Sequence, residues 1–250
     1  MNSMRGEYQL KAQSVSTLGI DIFADRSALV LEWLLLTRRA TPQFKVREVA
    51  ASTGVSVGLA QKVLHALSQK GWVEVSGLRT AKTFKVVNAG AILKAWTNHY
   101  QLSQKKRLYT YSSALGSKEE MIEKLESSPL KNQVALALHS AAQNHGRAHT
   151  NLKGLELYIL KTDLRLKLEK LLKLQPQERG YDVLLIEPYY KSVFQNAKRD
   201  DALSWKENRK SRLKSSPPLL TYLDLNQYPL RGREQAEQIL KTELKDLTHG

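Results

Sequence analysis

Hydrophobic positions recur at helical spacing through residues 27–39, where Leu29, Val30, Trp33, Leu34 and Leu36 fall on one side. Ser27 stands at the start as the expected cap, and Thr41-Pro42 ends the run. A second, short helix is predicted over Val46–Thr53 and is closed by Gly54. A third runs from the cap residue Ser56 to about Lys70 and is closed by Gly71. The period then switches from helical to alternating. Residues 72–75 and 84–87 read as two strands around a polar tip, 76–83, that contains Gly77. Ile92, Leu93 and Trp96 return to helical spacing and predict a closing helix over 89–100.

The polar, basic stretch 101–107 reads as a linker. Beyond it the pattern mixes strands and helices. Strands are predicted at 108–112, 155–160 and 181–186. Helices are predicted at 117–126, with Ser117 and Glu120 as a capping box, and at 133–143, 164–174, 219–225 and 233–247. This mixture gives an α+β chain in three parts. Residues 1–26 form an N-terminal arm, 27–100 a winged helix-turn-helix domain, and 108–250 a mixed α/β domain. The segment 191–214 carries eight basic and three acidic residues around Trp205 and is read as a solvated basic insertion.

Composition sharpens the functional side. Of 250 residues, 39 are Lys or Arg and 24 are Asp or Glu, a net charge of +15. A field of that sign favours a polyanionic partner, DNA or RNA first. The charge is densest where the helix-turn-helix pattern lies: residues 27–100 hold ten basic and three acidic residues. Cysteine is absent, which excludes disulfides, thiol nucleophiles and thiolate metal sites. The longest apolar runs are too short to span a bilayer, and the N-terminus lacks the layout of a secretory signal. The expected location is therefore cytoplasmic, with no membrane partner.

The strongest motif is the pair of helices joined at Gly54. Val49, Ala50, Val55, Val63, Leu64 and Leu67 make the small core between them. The residues left facing outward are Ser56, Val57, Gly58, Gln61, Lys62, His65 and Gln69, with no acid among them. An α-helix fits the major groove of B-form DNA and reads it with its N-terminal half. Gln61 suits adenine bidentately, and Lys62 suits guanine O6/N7 or a phosphate. Gly58 permits close approach. Ser56 and the neighbouring backbone N–H groups suit a phosphate. His65 has supporting weight only. Arg79 and Lys82 at the hairpin tip, with Lys85 on its strand, are candidates for the flanking backbone or minor groove. Lys45 and Arg47 stand at the entrance of the first helix of the motif.

Enzymatic signatures are missing. There is no G-x-S-x-G, no Walker A loop and no G-x-G-x-x-G. His139, His145 and His149 have no carboxylate among them and are not read as a metal site; no cofactor is expected. Asp182 and Glu187 flank a strand and read as structural. Two other classes stay open from the residues alone: a protein-interaction module whose charge serves solubility, and a nucleotidyltransferase-like enzyme guided by a winged helix.

Several pieces resemble one family. They are Ile92-Leu93-Lys94-Ala95-Trp96 after the hairpin, and the strand Asp182-Val183-Leu184-Leu185-Ile186-Glu187-Pro188-Tyr189. The third is Leu219-Leu220-Thr221-Tyr222-Leu223-Asp224-Leu225, followed by Arg231-Gly232-Arg233-Glu234-Gln235-Ala236-Glu237. Over roughly 27–247 the chain resembles the AbiEi-like antitoxins, transcriptional regulators of type IV toxin–antitoxin (abortive infection) systems. The resemblance implies a winged helix that represses its own operon by binding promoter inverted repeats. It also implies a C-terminal domain resembling a degenerate nucleotidyltransferase fold, which opposes a nucleotidyltransferase-like toxin. Because Gly-Ser followed by Asp-x-Asp is missing, that domain is expected to be non-catalytic and the protein not an enzyme. Asp224, Arg231, Gly232 and Glu234 are expected to hold the last two helices together, Asp224 pairing with Arg231 or Arg233.

Overall fold

The computed structural model describes residues 20–100, 107–148, 152–161, 163–191, 194, 210–229 and 231–247. Most of the expected arm, nearly all of the expected linker, His149 and most of the basic insertion lie outside them.

The first half is built around α1 (Asp25–Thr37), whose residues from Ser27 to Leu35 are all buried. Other elements wrap a helix buried on every side, so its apolar run needs no polar stripe. Ser27 is not the cap: the helix begins two residues earlier, after Ala24, and Ser27 lies inside its first buried turn. Helix α2 (Val46–Thr53) ends on Gly54 in the left-handed region, φ 69°. Helix α3 (Val57–Gln69) starts from Ser56, whose Oγ accepts the Leu59 N–H at 3.2 Å. Strands β1 (Val73–Ser76) and β2 (Thr83–Val86) pair antiparallel, with Val73 opposite Val86 and Val75 opposite Phe84. Phe44 and Phe84 exchange both backbone hydrogen bonds, at 3.0 and 2.9 Å, which pins the hairpin to the loop before α2. Behind it Trp33 meets Phe44 edge to face, and Phe44 stacks on Phe84. Helix α4 (Ala89–His99) is capped by Asn88, which accepts the Ala91 N–H at 2.9 Å, and buries Ile92, Leu93 and Trp96.

The second half is a six-stranded mixed sheet in the order β6-β3-β7-β5-β4-β8. Its strands are β3 (Leu108–Ser113), β4 (Val134–Leu136), β5 (Leu155–Ile159), β6 (Leu174–Pro176), β7 (Val183–Ile186) and β8 (Lys214–Ser215). β5 runs parallel to β7 and β4 parallel to β8; the other pairs are antiparallel. Side chains alternate across the sheet. Leu155, Leu157, Ile159, Val183 and Leu185 share one apolar cluster with α5 (Lys118–Glu126) and α7 (Leu164–Leu171). Tyr158, Leu184 and Ile186 face the other cluster, with α8 (Pro218–Asn226) and α9 (Gly232–Thr242).

Three predicted helices resolve differently: the run 233–247 is α-helical only to Thr242 and ends in a 3-10 turn over Lys245–Leu247. The run 133–143 is β4 followed by the short helix α6 (Leu138–Asn144). The run 164–174 stops at Leu171, and its last residue begins β6. The basic insertion is not solvated to its end: Ser211 and Leu213 are buried, and Lys214–Ser215 is the edge strand β8.

The second apolar cluster does not stop at the sheet. It runs on through Trp96 and Tyr100 into α1, α2 and α3, so one buried body of side chains spans both halves. Polar contacts stitch the same join. Trp96 Nε1 donates to the Tyr190 hydroxyl at 2.9 Å, and that hydroxyl donates to the Phe23 carbonyl at 2.8 Å. Tyr100 and Tyr158 donate to the two carboxylate oxygens of the buried Asp224. Asp224 thus bonds tyrosines from α4 and β5 rather than the expected Arg231 or Arg233, both of which are exposed. What fixes α8 against α9 is instead Gly232. A Cβ there would lie 2.3 Å from the Leu225 carbonyl oxygen and 2.7 Å from Tyr228 Cβ, so only glycine lets the helices meet.

Candidate nucleic-acid interface

Helix α3 divides cleanly. Ala60, Val63, Leu64 and Leu67 are buried against α1, α2 and β1. Gly58, Gln61, Lys62, His65 and Gln69 lie on the opposite stripe, and all are exposed. Ser56 and Val57 at the helix start are exposed too, Val57 to 49%. The first turn holds no acid, so its free N–H groups and the positive end of the helix dipole face solvent unopposed. No Cβ added at Gly58 would meet an atom within 4 Å on this side, so the approach there is open.

The second half attaches elsewhere. It grips α4, Phe23 and, through an Arg39–Asp246 ion pair at 2.8 Å, the end of α1. Nothing from it covers the outer stripe of α3 among the described residues. Lys45 and Arg47, at the start of α2, are exposed beside it. Arg26, absent from the residues chosen on sequence, is exposed and donates to the Gly54 carbonyl at 3.0 Å, where it braces the turn between α2 and α3.

The hairpin extends this surface. Arg79 and Lys82 lie at its tip, inside or just after a 3-10 turn over Arg79–Ala81, and Lys85 projects from β2. All three are exposed. Glu74 stands opposite Lys85 on the ladder, which offsets part of that lysine's charge. Sequence reasoning passed over Leu78, at 81% the most exposed large apolar side chain among the described residues. Lys70, with its ammonium 5.3 Å from the Trp72 ring, was also missed.

The second half has a concavity of its own, about 690 Å³, between α5 and α6. Lys118 stands in its wall and donates to Gln143 Oε1 at 2.6 Å and to the Gly154 carbonyl at 2.8 Å; burial lowers its pKa. Across the cleft, Glu126 accepts from Ser211 Oγ at 2.6 Å and the Arg212 N–H at 2.7 Å, which holds its pKa low. These groups are engaged with one another and with backbone. Asp182 and Glu187 likewise accept from the Ser113 N–H and the Tyr109 hydroxyl, each at 3.0 Å. His139 and His145 are buried at α6. Among the described residues no three His, Asp or Glu side chains are placed to hold a metal ion, and no helix is long and apolar enough to cross a membrane.

Comparison with known proteins gives one match. A family model described as transcriptional regulator, AbiEi antitoxin, type IV toxin–antitoxin system, covers residues 85–245. No curated protein and no solved structure matches the chain.

Proposed function

Because the chain belongs to the family of AbiEi antitoxins and transcriptional regulators of type IV toxin–antitoxin systems, we propose that its first half is a winged helix-turn-helix that binds double-stranded DNA sequence-specifically. Helix α3 enters the major groove, and the β1–β2 hairpin is the wing over the adjoining backbone and minor groove. Gln61 and Lys62 read base edges, with Val57 and Gly58 against the groove floor and His65 at its margin. Ser56, Lys45 and Arg47 hold phosphates, and Arg79, Lys82 and Lys85 meet the flanking backbone or the minor groove. The target is a set of inverted repeats in the promoter of its own operon, and occupancy represses that operon. Such a regulator works in the cytoplasm, where its operator is.

One observation carries this reading: the outer stripe of α3 is exposed, free of acid and flanked by cations, while the second half is fastened to other elements. A protein-docking helix has no need to be free of carboxylates on its whole exposed stripe.

The second half serves as a non-catalytic antitoxin domain with a degenerate nucleotidyltransferase-like layout, opposing a nucleotidyltransferase-like toxin. In support, Gly116-Ser117 precedes α5 in the chain, but β4 beyond that helix carries Val134, Ala135 and Leu136, all buried, and offers no carboxylate for a metal.

Gel shifts on the upstream region of its own operon test the DNA reading. Gln61→Ala and Lys62→Ala should each weaken specific binding by about 1–3 kcal/mol per lost base contact and relax preference at one position. Unchanged affinity and preference in both variants would sink the base-reading assignment.

A further inference from the structure

We propose that Leu78 and Arg79 form a second reading element: a stiff, partly apolar hook that enters the minor groove beside the α3 site and selects A·T base pairs there. The inference rests on the DNA reading above and deepens it.

Burial does not explain the presence of Leu78. It is 81% exposed, against 61% for Leu166 and 49% for Val57, the next most exposed large apolar side chains among the described residues. A lone surface leucine is ordinary. This one stands at the end of a projecting hairpin between Gly77 and Arg79, and the chain from Val75 to Asn88 holds no acidic residue. The surface is therefore apolar at its point and cationic at its sides.

The tip is also built to hold one shape. Gly77 sits at φ 81°, where a Cβ would fall 2.6 Å from the Ala81 carbonyl oxygen. The 3-10 turn closes with Ala81 N–H donating to the Leu78 carbonyl at 3.0 Å. Arg79 takes φ 50°, a left-handed conformation that costs free energy at a residue with a side chain. A tip serving only to reverse the chain needs neither an arginine in that conformation nor a leucine pointed at water.

Chemistry selects the partner. Leucine cannot bond phosphate, so Leu78 adds nothing to a backbone grip. In a minor groove its side chain meets deoxyribose walls or wedges at a base step, and the neighbouring cation lies along the groove. The groove is narrow and strongly negative over A·T runs, which draws arginine. At G·C pairs the guanine 2-amino group stands in the floor, where an apolar side chain leaves its hydrogen bond unmade. With α3 in the major groove, the wing reaches the next minor groove, so the preference falls on base pairs flanking the core site.

The test uses the full chain and the duplex protected in its upstream region, with the core kept and the flanks changed to A·T, G·C or inosine·C. Inosine removes only the minor-groove amino group. Wild-type protein should bind the A·T and inosine·C flanks about equally and the G·C flank about tenfold more weakly. Leu78→Ala should bring these ratios near one while the penalty for core changes stays; thermal melting checks that this exposed site leaves the fold intact. Arg79→Ala should lower the flank ratio too and reduce the salt slope by about one. Equal wild-type affinity for inosine·C and G·C flanks overturns the proposal, as does an undiminished flank ratio in Leu78→Ala. Loss of self-association in Leu78→Ala with unchanged ratios would assign the tip to contact between copies and also overturn it. Failure of the underlying reading looks different: wild-type protein would then show no penalty for core changes.

Discussion

Replacing Asp224 probes the join between the two halves. Its carboxylate is fully buried, and each oxygen accepts a phenol: Tyr100 from the end of α4 and Tyr158 from β5. Both tyrosines are buried in the same cluster, and their pKa values are raised well above the ordinary 10.0, by burial first and the carboxylate's charge next. Hydrogen bonds to a charged group contribute about 1.5–3 kcal/mol each, and Asp224→Ala removes two of them together with the acceptor that both buried phenols use. Asp224→Ala should therefore cost about 3–5 kcal/mol, against a total stability of about 5–15 kcal/mol for a folded domain. At about 2–4 °C per kcal/mol for a chain of this size, Tm should fall by about 10 °C. Tyr158→Phe, which removes one donor and little volume, should cost about 1–3 kcal/mol and keep DNA affinity, since α3 is remote from it. Urea unfolding followed by near-ultraviolet circular dichroism and tryptophan fluorescence reads both. Wild-type protein should unfold in one transition by both probes, and Asp224→Ala should separate them as the halves uncouple. In a thermal melt, an Asp224→Ala Tm within about 2 °C of wild type would refute the reasoning, because it would mean the carboxylate is not a shared anchor.

Three further outcomes follow from named groups. Six cations, Lys45, Arg47, Lys62, Arg79, Lys82 and Lys85, face the proposed duplex, so specific affinity should fall with a log–log salt slope of about −5, or about 10³-fold between 50 and 200 mM salt; a slope shallower than about −2 contradicts that footprint. Gly232→Ala should lower Tm by several degrees, since a methyl 2.3 Å from the Leu225 carbonyl oxygen forces α8 from α9 at a cost of about 1–3 kcal/mol, and an unchanged melt would show that the helices need no such closeness. Alkali should unfold the protein: burial raises the pKa values of Tyr100, Tyr158, Tyr181 and Tyr190, and pushes Tyr228 up to about 12. A folded-state value above the unfolded one of about 10 gives stability that is whole below pH 10 and lost as pH rises beyond it. Tyrosinate absorbance at 295 nm should then rise in step with loss of circular dichroism, and a smooth titration near pH 10 with the fold retained would count against these burials.

What the amino-acid pattern revealed follows from how local each element is. The pair α2 and α3 carries its own punctuation: Gly54 in the turn, Ser56 as the cap and a small core from Val49 to Leu67. All eleven candidate DNA-contacting residues are accordingly on the surface. β4 was hidden, because Val134-Ala135-Leu136 is buried on both faces and shows no alternation; pairing with β5 and β8, not local preference, makes it a strand. The end of α7 was hidden for another reason. Lys173 turns the chain with φ 51°, a job usually marked by glycine, so the helical pattern ran on into β6. Asp224 was assigned arginine neighbours because its actual partners lie 124 and 66 residues away. Leu78 carries no signal of its own in the sequence, because its meaning depends on the shape of the tip that presents it.

The family match and the DNA face are independent lines of support, and their geography shows why both are needed. The match starts at residue 85, inside β2, so α1, α2, α3 and β1 lie before it. Membership therefore speaks for α4 and the second half, whereas the groove-entering assignment rests on the exposed stripe of α3 alone. The two meet in α4. Trp96, from the Ala-Trp pair that first suggested the family, donates to Tyr190; Asp224 holds Tyr100 at the end of the same helix; Gly232 seats α9 on α8 beneath it. Trp96 and Asp224 thus fasten the halves, Gly232 holds two helices of the second half together, and none of the three lies on the proposed DNA face. It follows that Gln61, Lys62 and His65 are free to vary without loss of fold, while Trp96 and Asp224 set how α3 is presented relative to the second half. A chain with α3's outer stripe rewritten should melt like the parent and bind a different operator. One that instead lost stability would show that the stripe is held by contacts beyond its exposed position.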